Sequence, residues 1–143
     1  MGITSAICNS FKQEILEAEH NFTASTGNTF NLALYDSGAD LSKTTTAYTT
    51  SEELATTGGY TAKGKALTSV TPVLDSDTAV CDFANTSWTS ASFTARGCLI
   101  FNDDNSDTSV CAIDFGGDKT VTSGTFTIEF PAAAASTAII QIA

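Results

Sequence analysis

Phe30-Asn31-Leu32-Ala33-Leu34-Tyr35-Asp36-Ser37-Gly38 is the stretch whose reading decides the fold. Phe30, Leu32 and Leu34 alternate with Asn31, Ala33 and Tyr35, a period of two that belongs to a strand. The run then stops at a turn-forming Asp-Ser-Gly. The same rhythm recurs downstream. Ala79, Cys81 and Phe83 share one face, Cys111, Ile113 and Phe115 another, and Phe126, Ile128 and Phe130 a third. Trp88 to Ala95 reads as a further strand. Cys98-Leu99-Ile100-Phe101 is continuously apolar, as suits a strand buried on both faces, and Ile139 to Ile142 reads as a last one.

Punctuation between these runs is polar and glycine-rich. Asp75-Ser76-Asp77 and Asn102 to Asp107 read as turns, Gly58-Gly59 as a turn or bulge, and Tyr60 to Val70 as a strand broken by Gly64. Gly116-Gly117-Asp118-Lys119 reads as a hairpin connection, and Pro131 with the alanines after it as a linker. About eight short strands at this spacing predict a mainly β protein, an antiparallel β-sandwich or jelly-roll-like domain.

Upstream of residue 23 the period changes. Ile7, Phe11 and Ile15 recur every four residues and are joined by Leu16, while Lys12, Gln13, Glu14 and Glu17 fill the opposite side. This predicts one N-terminal α-helix, capped by Thr4 or Ser5 and ending near His20. Glu17 and Glu19 oppose the negative end of the helix dipole, so packing is expected to hold it. The division is therefore an N-terminal helix or arm over residues 1–22 and a single β-sandwich domain over 23–143. The helix either reaches a neighbouring subunit or packs on its own sandwich.

Composition narrows the function. The chain has 143 residues, 42% apolar and only 15% charged, with 16 acidic against 6 basic side chains and a formal charge of −10. One core suffices at this length, since roughly 70% of the unfolded surface is buried on folding. Such an acidic chain is repelled by nucleic acid and by anionic lipid, so neither is an expected partner. The opening Met1-Gly2-Ile3-Thr4-Ser5-Ala6-Ile7-Cys8 lacks the basic and apolar regions of a signal peptide, and the C-terminal apolar tract is too short to span a bilayer. With no export signal, Cys8, Cys81, Cys98 and Cys111 are expected to be made and kept as thiols. Asn21-Phe22-Thr23 and Asn85-Thr86-Ser87 match the glycosylation pattern incidentally.

Reactive constellations are not evident. His20, the one histidine, has no sequence partner for base catalysis and reads as a surface residue at the helix end. The cysteines lack Cys-x-x-Cys spacing, and Cys81 and Cys111 fall at inward strand positions, which favours core packing over zinc. A disulfide formed after release into oxidising surroundings stays open. Asp103-Asp104-Asn105-Ser106-Asp107 begins like a calcium loop, but Thr108 stands where glycine is needed and Asp114 falls inside a strand. Gly116-Gly117-Asp118-Lys119-Thr120 has an aspartate before the lysine and no helix after it, so it is no phosphate loop. Glu52-Glu53 could be a carboxylate pair for glycoside cleavage, but it falls on a polar loop where adjacent side chains usually diverge. No enzyme activity, cofactor or metal is expected.

Several stretches resemble a family of short virion structural proteins of tailed phages. They are Thr4-Ser5-Ala6-Ile7-Cys8-Asn9-Ser10-Phe11-Lys12-Gln13-Glu14, Gly59-Tyr60-Thr61-Ala62, Ser92-Phe93-Thr94-Ala95-Arg96-Gly97, and Asp114-Phe115-Gly116 with Thr120-Val121 and the phenylalanine-rich strand after it. The resemblance runs nearly end to end, and its motifs are structural. It implies a place on the capsid surface as a decoration or cement protein. The implied partners are the major capsid protein and other copies of this chain, a trimer being one expected form. The expected contact residues are Ile7, Phe11 and Ile15 with the aromatics Tyr35, Tyr48, Tyr60 and Trp88. A tail, head–tail adaptor or fibre component, with host-surface glycan binding through Trp88 and the tyrosines, is the competing expectation. Copy number per particle separates the two.

Overall fold

A computed structural model describes residues 2–143. The chain is mainly β, with two antiparallel sheets facing one another as a sandwich and one short helix near the N-terminus. In chain order the elements are β1 (Ala6–Ile7), α1 (Asn9–Leu16), β2 (Phe30–Tyr35), β3 (Lys65–Ala66), β4 (Ser69–Asp75), β5 (Thr78–Phe83), β6 (Thr86–Asn102), β7 (Thr108–Ile128) and β8 (Ile140–Ile142). The larger sheet runs β1-β7-β6-β2-β3 and the smaller runs β4-β5-β8. Among the described residues no helix is long and apolar enough to cross a membrane.

The deciding stretch becomes β2, pairing with β6 from Phe30↔Asn102 to Tyr35↔Gly97. Its alternation sorts residues between two apolar layers. Phe30, Leu32 and Leu34 join Cys98, Ile100, Cys81 and Phe83 between the sheets. Ala33 and Tyr35 join Leu99, Phe101 and Ala112 on the opposite face, roofed by Ala39 and Leu41 from the following loop. That second layer explains why Cys98 to Phe101 is apolar without interruption: both faces of β6 are covered there. The inter-sheet layer is aromatic-rich, with Phe22 stacked on Phe30 at 4.2 Å between centroids and 3° between planes.

Strand boundaries differ from the sequence expectation at the long hairpin. The expected strands at Trp88–Ala95 and Cys98–Phe101 are one strand, β6. The segment Gly116 to Lys119 is a bulge inside β7, where the register shifts between Ala95↔Lys119 and Gly97↔Asp114. Gly116 takes a φ of 81° there. A glycine pair imitates a turn in sequence, but a bulge uses the same backbone freedom without reversing the chain. Gly64 also serves a bend, with φ +68° and the Leu32 carbonyl oxygen 1.7 Å from where a Cβ would sit. Only Lys65–Ala66 of the predicted Tyr60–Val70 strand pairs with β2.

The helix is shorter than expected. Ala6 and Ile7 are not helical but pair with Ala112 and Cys111 of β7, and the Cys8 N–H continues the ladder to the Val110 carbonyl at 2.9 Å. Thr4 and Ser5 are therefore not caps; Cys8 holds the N-cap position and offers no side-chain bond. At the other end Ala18 has a φ of 60°, ending the helix before His20. Phe11 and Phe22 are buried in the inter-sheet core and Ile3 bridges Leu41. Of the two expectations for the N-terminal segment, packing on its own sandwich is the one observed. Ala6 and Ile7 thus join the larger sheet, and Phe11 and Phe22 join its core.

Candidate functional site

The seven expected contact residues divide into two groups. Tyr35, Tyr60 and Trp88 are buried, at 0%, 2% and 5% exposure, and Tyr48 is half-buried. Tyr35, Tyr60 and Trp88 are thus enclosed by the chain's own fold, and the tyrosines are held by a polar hub that the sequence did not announce. The Glu53 carboxylate accepts the Tyr48 hydroxyl at 2.5 Å, the Tyr60 hydroxyl at 2.7 Å and the Lys63 N–H at 2.6 Å. Tyr60 in turn accepts the Leu34 N–H at 3.0 Å, and Tyr35 donates to the Thr49 carbonyl at 2.7 Å. These bonds hold the segment between β2 and β3 onto the larger sheet. Burial, reinforced by the negative charge of Glu53, raises the pKa of all three tyrosines, that of Tyr48 to about 12. All three stay neutral donors at physiological pH.

Glu53 is thus committed to structural bonds, while Glu52 sits exposed in a left-handed conformation at φ 61°. The two do not form a facing carboxylate pair. Trp88 packs against Tyr60, Phe93 and Phe126, and the Lys65 ammonium lies over its ring at 5.2 Å while bonding the Ser87 carbonyl. No open aromatic face remains there for a sugar ring.

His20 is also corrected, from surface to interior. Its side chain is fully buried, in contact with the rings of Phe11, Phe22 and Phe30. Nε2 meets Glu14 Oε1 at 3.2 Å and Nδ1 meets Asn102 Nδ2 at 3.0 Å. Because the Asn102 amide donates, Nδ1 is the acceptor and Nε2 carries the proton toward Glu14. Through these two contacts the histidine ties α1 to β6.

Around the Asp103–Asp107 turn the positive charge present is an ammonium. Lys63 Nζ lies 3.0 Å from Asp103 and from Asp107, bonds that raise its pKa. All four cysteines are buried and unpaired. Burial pushes the thiols of Cys81 and Cys98 up to about 12 and that of Cys111 well above its usual value, so thiolate is scarce at neutral pH. Among the described residues no group of three His, Cys, Asp or Glu side chains could hold a metal ion.

Ile7, Phe11 and Ile15 form the second group, and here the structure brings the named residues together. They line an apolar groove of about 710 Å³ between α1 and the small sheet, with Phe22 and Cys81 inside and Ile140 and Ile142 on the far wall. Phe11 is buried, Ile7 and Ile15 half-buried. Among the described residues the most exposed large apolar side chain is Leu16, at 88%, on the helix wall. Leu74, Ala79 and Ile142 make a cross-strand row over β4, β5 and β8, with Leu74 at 74% and Ile142 at 59% exposure. Leu74 and Ile142 were not singled out in the sequence as exposed apolar residues. Leu16 was legible there as an apolar residue directly beside Ile15, wider than one helical stripe requires.

No family model, curated protein or solved structure matches the chain.

Proposed function

We propose that this protein is a structural component of a tailed-phage particle that binds and stabilises the capsid shell as a decoration or cement protein. The partners in this reading are the major capsid protein and other copies of the chain, and the place is the capsid surface after synthesis in the host cytoplasm. The resemblance supplies the setting. The single observation that carries the adhesive part is the uncovered apolar surface at the α1–β8 end. Leu16, Leu74 and Ile142 stand out to solvent beside a groove already lined by apolar side chains. Contiguous apolar surface of this kind marks a place where another protein sits. Single exposed leucines are ordinary; a helix wall and a cross-strand row meeting at one groove are not.

The mechanism is mass action. A ligand that binds the assembled lattice and not its dispersed subunits stabilises the lattice, and many copies bridging adjacent subunits add avidity. The side chains this requires are packing groups, and the groove supplies them.

The test is to purify particles, count copies of the protein against the shell protein, and repeat with Leu16→Ser and Ile142→Ser. A copy number on the scale of the shell protein is expected, falling at least tenfold in the double variant. Absence of the wild-type chain from mature particles would refute the reading.

A further inference from the structure

After β7 the chain crosses from Pro131 to Ala138 outside any strand and enters β8, which among the described residues pairs with β5 alone, over three residue pairs. Two carboxylates tie this strap down. Asp75 Oδ2 accepts the Ala135 N–H at 2.7 Å, and Asp82 accepts the Ile139 N–H. Ala138 lies buried between the two ties, while Pro131 to Ala133 are exposed. Ile139 lines both the groove of about 710 Å³ beside α1 and a second of about 630 Å³ beside Phe115, Phe126 and Phe130; Ile140 and Ile142 line the first. The strap is a wall shared by two apolar grooves, and little pairing holds it.

Asp82 is the weak point of that seat. Cys81 and Phe83 belong to the inter-sheet core, so alternation along β5 turns Asp82 to the outer face, beneath the strap. It is 1% exposed; Oδ1 accepts the Phe83 N–H at 2.8 Å and Oδ2 has no partner. No Lys or Arg lies on β4, β5, β8 or the strap. Opposite Asp82 on β4 is Val70, and that strand's acid, Asp75, is engaged by Ala135. On β5 the adjoining Cys81 thiol is kept protonated by burial and by the charge of Asp82. From Phe130 to Ala143 there is no titratable side chain. A buried carboxylate that meets amides but no cation costs free energy when ionised, and burial accordingly raises its pKa. Lifting the strap returns it to water.

We infer that residues 131–142 are a pH-sensitive strap, seated on β5 while Asp82 is protonated and lifting from it more readily once Asp82 ionises. With the strap lifted, the carboxyl is solvated and titrates near the ordinary value of about 3.9; with the strap seated, it titrates higher. Opening therefore rises with pH from the ordinary value up to the seated one and is level on either side. One proton is exchanged, so opening changes by at most about tenfold per pH unit. Lifting withdraws Ile139, Ile140 and Ile142 from the groove walls and joins the two grooves where Ile139 stood. The use of this device rests on the proposed function, in which the α1–β8 groove is the docking surface, and it sets how wide that surface stands.

The experiment is residue-resolved amide hydrogen exchange of the full chain between acid and neutral pH, corrected at each pH for the intrinsic exchange rate. Across that range the protection of residues 139–142 should fall by about tenfold or more in wild type, while Leu32 to Leu34 in β2 stay protected. Asp82→Asn, which keeps the side chain's shape and an acceptor oxygen, should hold the strap's protection level with pH. Asp75→Asn should leave the wild-type pH dependence in place. Strap protection that is level in wild type overturns the inference, as does a pH dependence that survives Asp82→Asn or disappears in Asp75→Asn. So does a loss of protection shared equally by β2, which would make Asp82 a matter of global stability alone. Because the measurement is made on the isolated chain, an unresponsive strap on a protein that still coats particles sinks this inference and leaves the proposed function standing.

Discussion

Removing the Glu53 carboxylate tests whether the tyrosines are scaffold or contact surface. In Glu53→Ala three bonds of 2.5–2.7 Å lose their acceptor at once. A hydrogen bond to a charged acceptor contributes about 1.5–3 kcal/mol, and a buried donor left unpaired costs about 1–3 kcal/mol. Tyr48 is half-buried and can turn to water; Tyr60 is 2% exposed and cannot. The expected loss is therefore about 3–5 kcal/mol, below the plain sum because the three bonds share one group. At roughly 2 cal/mol/K of unfolding entropy per residue this lowers the melting midpoint by roughly 10–15 °C. The assay is urea denaturation of Glu53→Ala, Tyr60→Phe and the double variant, with Tyr60→Phe alone expected to cost about 2–3 kcal/mol. Because the two side chains bond directly, the double variant should be more stable than additivity allows by about 1–2 kcal/mol. Additive losses, or a Glu53→Ala cost under about 1 kcal/mol, would refute the hub. A Tyr60→Phe protein of unchanged stability that no longer coated particles would restore Tyr60 as a contact residue.

Asp82 is buried at 1% exposure with Oδ2 unpartnered, and burial raises its pKa against the bonds it accepts from the Phe83 and Ile139 N–H groups. A carboxyl with a raised pKa gives stability that is fully present below the unfolded value and lost as pH climbs through the folded one. Asp82→Asn should therefore match wild type in acid denaturation near pH 3 and exceed it by about 1–3 kcal/mol at pH 7, as urea melts at the two pH values would show. Gly64→Ala should unfold at markedly lower urea, because a methyl group cannot share the position with the Leu32 carbonyl; an unchanged midpoint would mean the bend relaxes freely. The four buried thiols should resist a thiol-specific disulfide reagent at pH 8 in the native protein and all react in denaturant, read by absorbance; rapid native labelling would show that the core opens.

The strands were legible because each buried face repeats every second residue, and β2 shows how far that goes. Phe30, Leu32 and Leu34 announce the inter-sheet layer directly. Ala33 and Tyr35 look like the outward set, because nothing in a period of two says that a loop will roof the other face. The same blindness misplaced the tyrosines. Glu53 lies 18 positions after Tyr35 and seven before Tyr60, and only the closed loop brings them together. Helix length failed for a different reason. The four-residue spacing of Ile7, Phe11 and Ile15 is satisfied equally by a strand residue followed by a short helix when all three face one groove. Spacing identified the shared surface correctly and the secondary structure of Ile7 wrongly. His20 was read outward because a histidine near a helix end usually is; Glu14 and Asn102, which satisfy its two nitrogens, are 6 and 82 positions away.

What remains exposed after folding is an argument in itself. Tyr35, Tyr60, Trp88, Phe30 and Phe101 all lie at or below 5% exposure, so the chain has the means to hide large apolar side chains. Among the described residues five large ones stay out: Leu16, Val70, Val73, Leu74 and Ile142. Apart from Leu16, all belong to β4 and β8, the two edges of the small sheet. Each represents about 1.5–3 kcal/mol of burial forgone if it stayed in water permanently. The larger sheet shows that loops in this chain can roof an apolar face, since the segment after β2 covers Leu99 and Phe101. The small sheet has no such roof over Leu74 and Ile142. The fold thus covers one face with its own loop and leaves the other bare at its helix end, which is the observation the proposed adhesive role draws on.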